Sequence, residues 1–219
     1  MATIDIAAAK AALRTQVYAA RKAAHGDDGP MRAAMAAAHL MAEIERLGLA
    51  DGATMIAGYR PIRTEIVPDP ALARLHAAGV PLAMPVVVAK GAPLSFRPWA
   101  PGAAEIEGAF GARIPADETA VVPGALIVPL VAFDTRCARL GYGGGFYDRT
   151  IAELRGANPG LKTLGLAYDA QRVPAIPRES TDCLLDAVIT ESAVHRGEGA
   201  PGQTPGQTPG QITDRPARA

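Results

Sequence analysis

The sequence predicts an α/β fold, a mostly parallel central sheet with helices on both faces. Short apolar runs without polar alternation recur from Thr54 onward, and such runs suit strands covered on both faces. Helix-like segments fall between several of them, so strand and helix alternate over Thr54 to Glu191. The composition supports a real core, because 49% of the 219 residues are hydrophobic and 22 Lys+Arg balance 22 Asp+Glu. A Rossmann-like three-layer arrangement is the expected result.

Taken in order, the first element is an amphipathic helix over Ile4 to Ala24, with Ile6, Ala9, Leu13, Val17 and Ala20 at three- and four-residue spacing. Lys10, Arg14 and Arg21 fall on another face, and HGDDGP at His25 to Pro30 stops the helix. A second helix fits Met31 to Leu47, with Leu40, Ile44 and Leu47 as its stripe and Gly48 at its end. Strands are expected at Thr54 to Tyr59, Val80 to Val88, Leu94 to Trp99, Leu126 to Phe133, Thr163 to Tyr168 and Ala187 to Thr190. Pro70 to Ala78 and Phe146 to Arg155 read as helices. One folded domain should cover 1–194. The PGQT repeats of 195–219 lack core-forming residues and predict a disordered Pro/Gly/Gln-rich tail.

Several function classes are disfavoured at once. A formal net charge of zero gives no global footprint for nucleic acid or an anionic membrane. The most apolar stretch, Ala125 to Phe133, is strand-length and contains Pro129, so no membrane span is expected. The N-terminal MATIDIAAAKAALR lacks a signal-peptide pattern, and two cysteines cannot build a disulfide framework. A cytoplasmic location and a monomeric state are the expectations.

The chemistry concentrates in LIVPLVAFDTRCARLGYGGGFYDRTIAELR, Leu126 to Arg155. An apolar strand runs into a loop with Gly141, Gly143, Gly144 and Gly145, and a helix begins near Tyr147. Glycines admit close approach of a ligand, and a helix N-terminus offers free N–H donors, so the arrangement suits phosphate. It lacks both the Gly-Lys-Ser/Thr of the phosphate loop and the spaced third glycine of the dinucleotide fingerprint. A tight strand-to-helix turn therefore stays open beside the phosphate reading. Asp148 reads either as a helix cap or dipole partner, or as a Mg²⁺ ligand beside phosphates. Arg136 and Arg139 flank the loop. Cys137 has no evident histidine partner as a nucleophile, and no CxxC or HxxxH spacing suggests a metal site.

The pattern VPLVAFD-x₄-RLGYGGGFYDR resembles the signature of the 5-formyltetrahydrofolate cyclo-ligase family, whose members are also called 5,10-methenyltetrahydrofolate synthetases. YRPIRTEI, MPVV, LSFRPW and LAYDAQ-x₅-P-x₄-D follow in the family's order. The resemblance implies ATP- and Mg²⁺-dependent conversion of 5-formyltetrahydrofolate to 5,10-methenyltetrahydrofolate, ADP and phosphate. It implies further that Lys10, Arg14 and the segment Arg139, Leu140, Gly141, Tyr142, Gly143, Gly144, Gly145, Phe146 and Tyr147 bind ATP. Tyr59, Glu65 and Tyr142 to Phe146 would meet the folate. Arg139 and Tyr147 would be catalytic, and Asp148 and Asp182 would hold magnesium. Phe96 and Trp99 read as pterin-packing or core aromatics.

The chain departs from the family pattern at three places. Gly143-Gly144-Gly145 replaces a frequent Gly-Lys-Gly, with Arg136 or Arg139 as the candidate substitute cation. Cys137 stands where glycine is usual before R-L-G, and Thr181 where His or Asn often precedes the last aspartate. These departures leave a rival, a non-catalytic nucleotide- or folate-binding relative of the same fold. A phosphotransferase for another amide-like substrate is the second rival.

Overall fold

The computed structural model describes residues 5–26 and 28–197. Asp5 caps helix α1 (Ile6–Ala24) by accepting the Ala8 N–H at 3.1 Å, and α2 (Gly29–Arg46) follows with Pro30 in its first turn. The sheet then begins with β1 (Ile56–Ala57) and continues through α3 (Asp69–Ala77), β2 (Leu82–Val87) and β3 (Leu94–Trp99). A hairpin of β4 (Glu105–Glu107) and β5 (Arg113–Pro115) precedes β6 (Ala125–Pro129). A second small hairpin, β7 (Ala132–Phe133) with β8 (Arg139–Leu140), leads into α4 (Phe146–Ala157). β9 (Lys162–Leu166), β10 (Ala187–Ile189) and β11 (Val194–Arg196) complete the described elements.

The central sheet has seven strands in the order β11-β10-β9-β6-β1-β2-β3. The five inner strands run parallel, while β3 and β11 are antiparallel edges. Alternate residues face opposite layers. Ile56, Leu82, Met84, Ala125, Ile127, Leu164 and Ile189 pack under Leu40 and Ile44 of α2 and Leu72 and Leu75 of α3. Ala57, Ala83, Leu126, Val128 and Val188 pack on the other side with Ile151 of α4. Helices therefore cover both faces.

Four expectations are corrected by the structure. The apolar run Leu126 to Phe133 is two strands, because the sheet ladder ends at Pro129 and the chain turns away. Gln171 holds that break: its Nε2 donates to the carbonyls of Leu130 and Val131, at 2.8 and 3.1 Å, and its Oε1 accepts the Tyr168 N–H. The Leu94–Trp99 run is not covered on both faces, since it forms an edge with half-buried positions at four of its six residues. On α1 the basic residues are not on the face opposite the core. Lys10, Val17, Arg21 and Ala24 are its buried residues, whereas Ala20 is exposed.

The fourth correction concerns the end of the fold. His195 and Arg196, assigned to the tail, are in β11 and pair with Val188 and Ala187. Arg196 also bonds to Glu43 of α2, which is shared with Arg46. Burial raises the Glu43 carboxyl, but the two guanidiniums outweigh it and draw the pKa down to about 2. This tie is present above the ordinary carboxylate range and is lost as pH falls toward 2. The rest of the expected tail, 198–219, lies outside the described residues. Among the described residues no helix is long and apolar enough to cross a membrane.

Candidate active site

Strand order places the site. From β1 the chain moves through α3 to β2 on one side, and from β6 through α4 to β9 on the other. The sequence of strands therefore reverses between β1 and β6, and the crevice beyond their carboxyl ends is where open α/β sheets take ligands. The segment after β1 carries Tyr59 and Glu65, and the segment after β6 carries the glycine loop. Helix α1 lies against both.

Hairpin β7–β8 aims the glycine loop. Asp134, fully buried, accepts the N–H groups of Arg136, Ala138 and Ile176 and thereby shapes the turn between the two strands. Cys137 sits in that turn at φ 57, a left-handed conformation that favours glycine. Its thiol is buried, donates to the His195 carbonyl at 3.3 Å, and is pushed up to about 11 by burial. Such a thiol is not an activated nucleophile.

β8 delivers Arg139 into the crevice. Its Nη2 stands 2.9 Å from Asp148 Oδ1, in ion-pair contact but outside hydrogen-bond geometry, and neither Nε nor Nη2 has a hydrogen-bond acceptor. The guanidinium lies 5.7 Å from the centroid of Tyr147, whose hydroxyl pKa burial pushes far up. Leu140 points inward: it packs with Val17, Val131 and Val173, and its carbonyl accepts the Val131 N–H. Its expected ATP contact is thus confined to backbone.

Beyond Leu140 the loop is clamped by arginines. Arg14 Nε donates to the Gly141 carbonyl at 2.8 Å, and Arg149 Nη2 donates to the Gly144 carbonyl at 2.5 Å. Gly143 and Gly145 adopt φ values of 102° and 64°, which a side chain would strain. At Gly144 an added Cβ would stand 2.8 Å from the Phe146 ring. A lysine there would displace Phe146, so the all-glycine loop and this ring position belong together. Arg149, not Arg136, brings a second cation to the loop, because Arg136 is bound to Asp134.

Asp148 does not cap α4, since the cap position is Gly145 and no side chain bonds there. It lies in the first turn, where its Oδ1 meets Arg139 and accepts the Cys183 N–H at 3.1 Å. Asp182, the preceding residue, uses Oδ2 to bind Lys10 at 2.6 Å, and Lys10 also holds Glu179 at 2.8 Å. The Lys10 ammonium outweighs burial and lowers the Asp182 pKa. These contacts leave Asp148 Oδ2 and Asp182 Oδ1 for another cation. Two carboxylates completed by phosphate oxygens suit Mg²⁺, and among the described residues no cluster of three or more His, Cys, Asp or Glu gathers as a separate metal cage.

The opposite wall centres on Glu65, 3% exposed. Its Oε2 accepts the Ile62 N–H at 2.8 Å, while Oε1 is buried without a partner. Burial raises its pKa, opposed by the Ile62 N–H, by the neighbouring Tyr142 hydroxyl and by the charge of Arg21. A surface bridge to Arg63 is excluded by this burial. Tyr59 does not face a ligand: it is 2% exposed in the core and donates its hydroxyl to the Ile66 carbonyl at 2.5 Å, so it supports the turn that carries Glu65. Phe96 is likewise core. Trp99 belongs elsewhere, in a groove of about 520 Å³ with Met55, His76 and Pro81 at the other end of the sheet. Tyr142 joins the two walls, stacked on Tyr18 and accepting from Arg21 Nη1 at 2.7 Å.

A family model described as the 5-formyltetrahydrofolate cyclo-ligase family matches residues 6–191. The chain belongs to that family. It is 48% identical over 69 residues to the 5-formyltetrahydrofolate cyclo-ligase of Escherichia coli K12, covering 32% of this chain and 37% of that one. It is 33% identical over 124 residues to the Mycolicibacterium smegmatis cyclo-ligase, covering 54% and 57%. The aligned segments thus span about a third to somewhat over half of these curated relatives. In three dimensions it resembles the Aquifex aeolicus 5,10-methenyltetrahydrofolate synthetase, with a TM-score of 0.69, 26% identity, and coverage of 93% and 97%. The Mycoplasma pneumoniae synthetase, at 22% identity and TM-score 0.65, shares the fold.

Arg21, Arg149, Asp134 and Gln171 are site-building residues that sequence reasoning missed. Arg21 follows Lys10 and Arg14 at helical spacing, a signal that the three share one face. Asp134 and Gln171 each bond within their own turn, but the links that build the site, Asp134 to Ile176 and Gln171 to Leu130 and Val131, join segments about forty residues apart and leave no local signal.

Proposed function

We propose that this chain catalyses the ATP- and Mg²⁺-dependent cyclisation of 5-formyltetrahydrofolate to 5,10-methenyltetrahydrofolate, releasing ADP and phosphate. The observation that carries the reading is a pair of complementary buried atoms on adjacent walls, Glu65 Oε1 as an acceptor and Arg139 Nε as a donor, neither in hydrogen-bond geometry with a protein group. Burial of such groups without partners is costly, and a ligand that satisfies them recovers the loss. A pterin offers N–H donors along one edge, and a triphosphate offers anionic oxygens.

The chemistry requires this pairing. The N5-formyl carbon is amide-like, and ring closure by N10 needs its oxygen made into a leaving group. In the proposed sequence the formyl oxygen attacks the γ-phosphorus and the bond to ADP breaks. N10 then attacks the activated carbon and gives up its proton to the departing phosphate, and the C–O bond breaks to release that phosphate as the conjugated methenyl cation forms. Glu65 orients the pterin. Arg14, Arg139 and Arg149 hold the loop cationic beside the phosphates, and the N–H groups at the start of α4 add donors. Asp148 and Asp182 would hold magnesium, which neutralises phosphate charge when bound. No enzyme nucleophile is required, in keeping with the buried Cys137 thiol. Loss of the lysine at Gly144 is met by Arg149, so the non-catalytic alternative gains nothing from that departure.

Mixing the protein with 5-formyltetrahydrofolate, ATP and Mg²⁺ should produce the methenyl chromophore, and omission of either ATP or Mg²⁺ should abolish it. Binding of both ligands with no chromophore would return the chain to the binding-module reading.

A further inference from the structure

Arg21 is 1% exposed, its guanidinium enclosed on the buried face of α1. Its two hydrogen-bond partners are neutral: Nε donates to Thr64 Oγ1 at 3.0 Å, and Nη1 to Tyr142 Oη at 2.7 Å. The carbon of the guanidinium stands 5.4 Å from the ring centroids of both Tyr18 and Tyr142. The Glu65 carboxylate is near enough to feel this charge but accepts no hydrogen bond from it, and a buried charge bonded only to neutral acceptors is a poor way to gain stability, since an apolar side chain of similar size fills such space at less cost. What the guanidinium adds is direction. Its rigid fork fixes two acceptors relative to each other, which neither an ammonium nor a methyl group can do.

Those two acceptors belong to the two walls. Thr64 immediately precedes Glu65 beyond β1, and Tyr142 opens the glycine loop beyond β6. Tyr59 fixes the 59–66 turn through Ile66, and Arg14 fixes the glycine loop through Gly141, but each of these acts on one wall only. Arg21 touches both and is mounted on a nineteen-residue helix. We infer that Arg21 sets the separation and angle of the two half-sites, and so acts as a positioning residue for transfer of the phosphoryl group between their ligands. This inference rests on the two-ligand reading given above.

Two substitutions interrupt the bridge with little change of volume. Arg21→Lys keeps the charge but cannot serve both acceptors in the fork geometry, and Thr64→Val removes one acceptor isosterically. Misalignment of reacting groups by a fraction of an ångström to an ångström affects turnover far more than binding of either ligand alone. Both variants should therefore lose kcat by about 10- to 100-fold. Their dissociation constants for 5-formyltetrahydrofolate alone and for a non-hydrolysable ATP analogue alone should shift by less than about threefold. Thr64→Val leaves Arg21 Nε without its acceptor and should melt a few degrees below the wild type yet stay folded at the assay temperature, where near-normal affinity for each ligand alone separates alignment from folding. Wild-type kcat in both variants, or affinity losses as large as the loss of kcat, would overturn the inference. An inactive wild type would instead remove the functional reading on which it stands.

Discussion

On the wall beyond β1 a buried acceptor, Glu65 Oε1, stands outside hydrogen-bond geometry, whereas on the wall beyond β6 the buried atoms in that state are donors, Nε of Arg139 and Nε of Arg149. The first wall is apolar and fixed by core contacts of Tyr59 and Ile66; the second is open backbone held by Arg14 and Arg149. On the proposed function, this difference lets one crevice take two chemically unlike ligands without exchanging their places. A phosphate oxygen brought to Glu65 would set like charges together, and a pterin N–H edge at Arg139 would oppose donor with donor.

The comparison breaks most severely at the carboxylates of the anionic ligand's wall. Asp148→Asn should lower turnover by about 100-fold or more, well beyond the fall in melting temperature from its lost ion pair with Arg139, because no cap is lost and the carboxylate charge is. Asp182→Asn should act alike, and raised Mg²⁺ should restore part of the activity of both. Full activity of Asp148→Asn at limiting Mg²⁺ would detach this residue from the metal.

Glu65→Gln should be smaller and confined to the other wall. Folate binding should weaken by about 1–3 kcal/mol, and calorimetry should find ATP binding unchanged. An equal loss for both ligands would merge the two walls into one.

The pH dependence sharpens the same contrast. Burial raises the folded pKa of Glu65, so its ionisation costs stability that is absent below the ordinary value of 4.5 and fully present once pH exceeds the folded pKa. A ligand that donates to the carboxylate favours its ionised form. Folate affinity should therefore fall as pH is lowered through the raised pKa, with proton release on binding in that window, and Glu65→Gln should remove this dependence.

Much of the fold was legible because hydrophobic period reports burial directly: α2, α3, α4 and β2 lie within one or two residues of their expected spans. The glycine loop was legible through its motif. What stayed hidden was set by distant partners. The run through Pro129 reads as one strand until Gln171 is seen to hold its break, and Arg21 reads only as part of a basic face apart from the apolar stripe until Thr64 and Tyr142 close around it. Tyr59 carried the opposite error, since an aromatic near a ligand turn says nothing of which way its ring faces.

Cys137 gives the smallest expected effect. Cys137→Gly relieves a left-handed conformation costing about 1–2 kcal/mol but loses buried contacts of similar size, so the melting curve should barely move. Turnover should persist in this variant and in Cys137→Ser. Loss of activity with intact folding in Cys137→Ser would revive a nucleophilic role.

The central claim is that the two walls align the formyl oxygen of one ligand with the γ-phosphorus of the other. It is tested most directly with 5-formyltetrahydrofolate carrying ¹⁸O in the formyl group. Single-turnover reaction in unlabelled water should deliver the label into the released phosphate, one ¹⁸O per methenyl product formed. Unlabelled phosphate, with the ¹⁸O found in water, would contradict phosphorylation of the formyl oxygen.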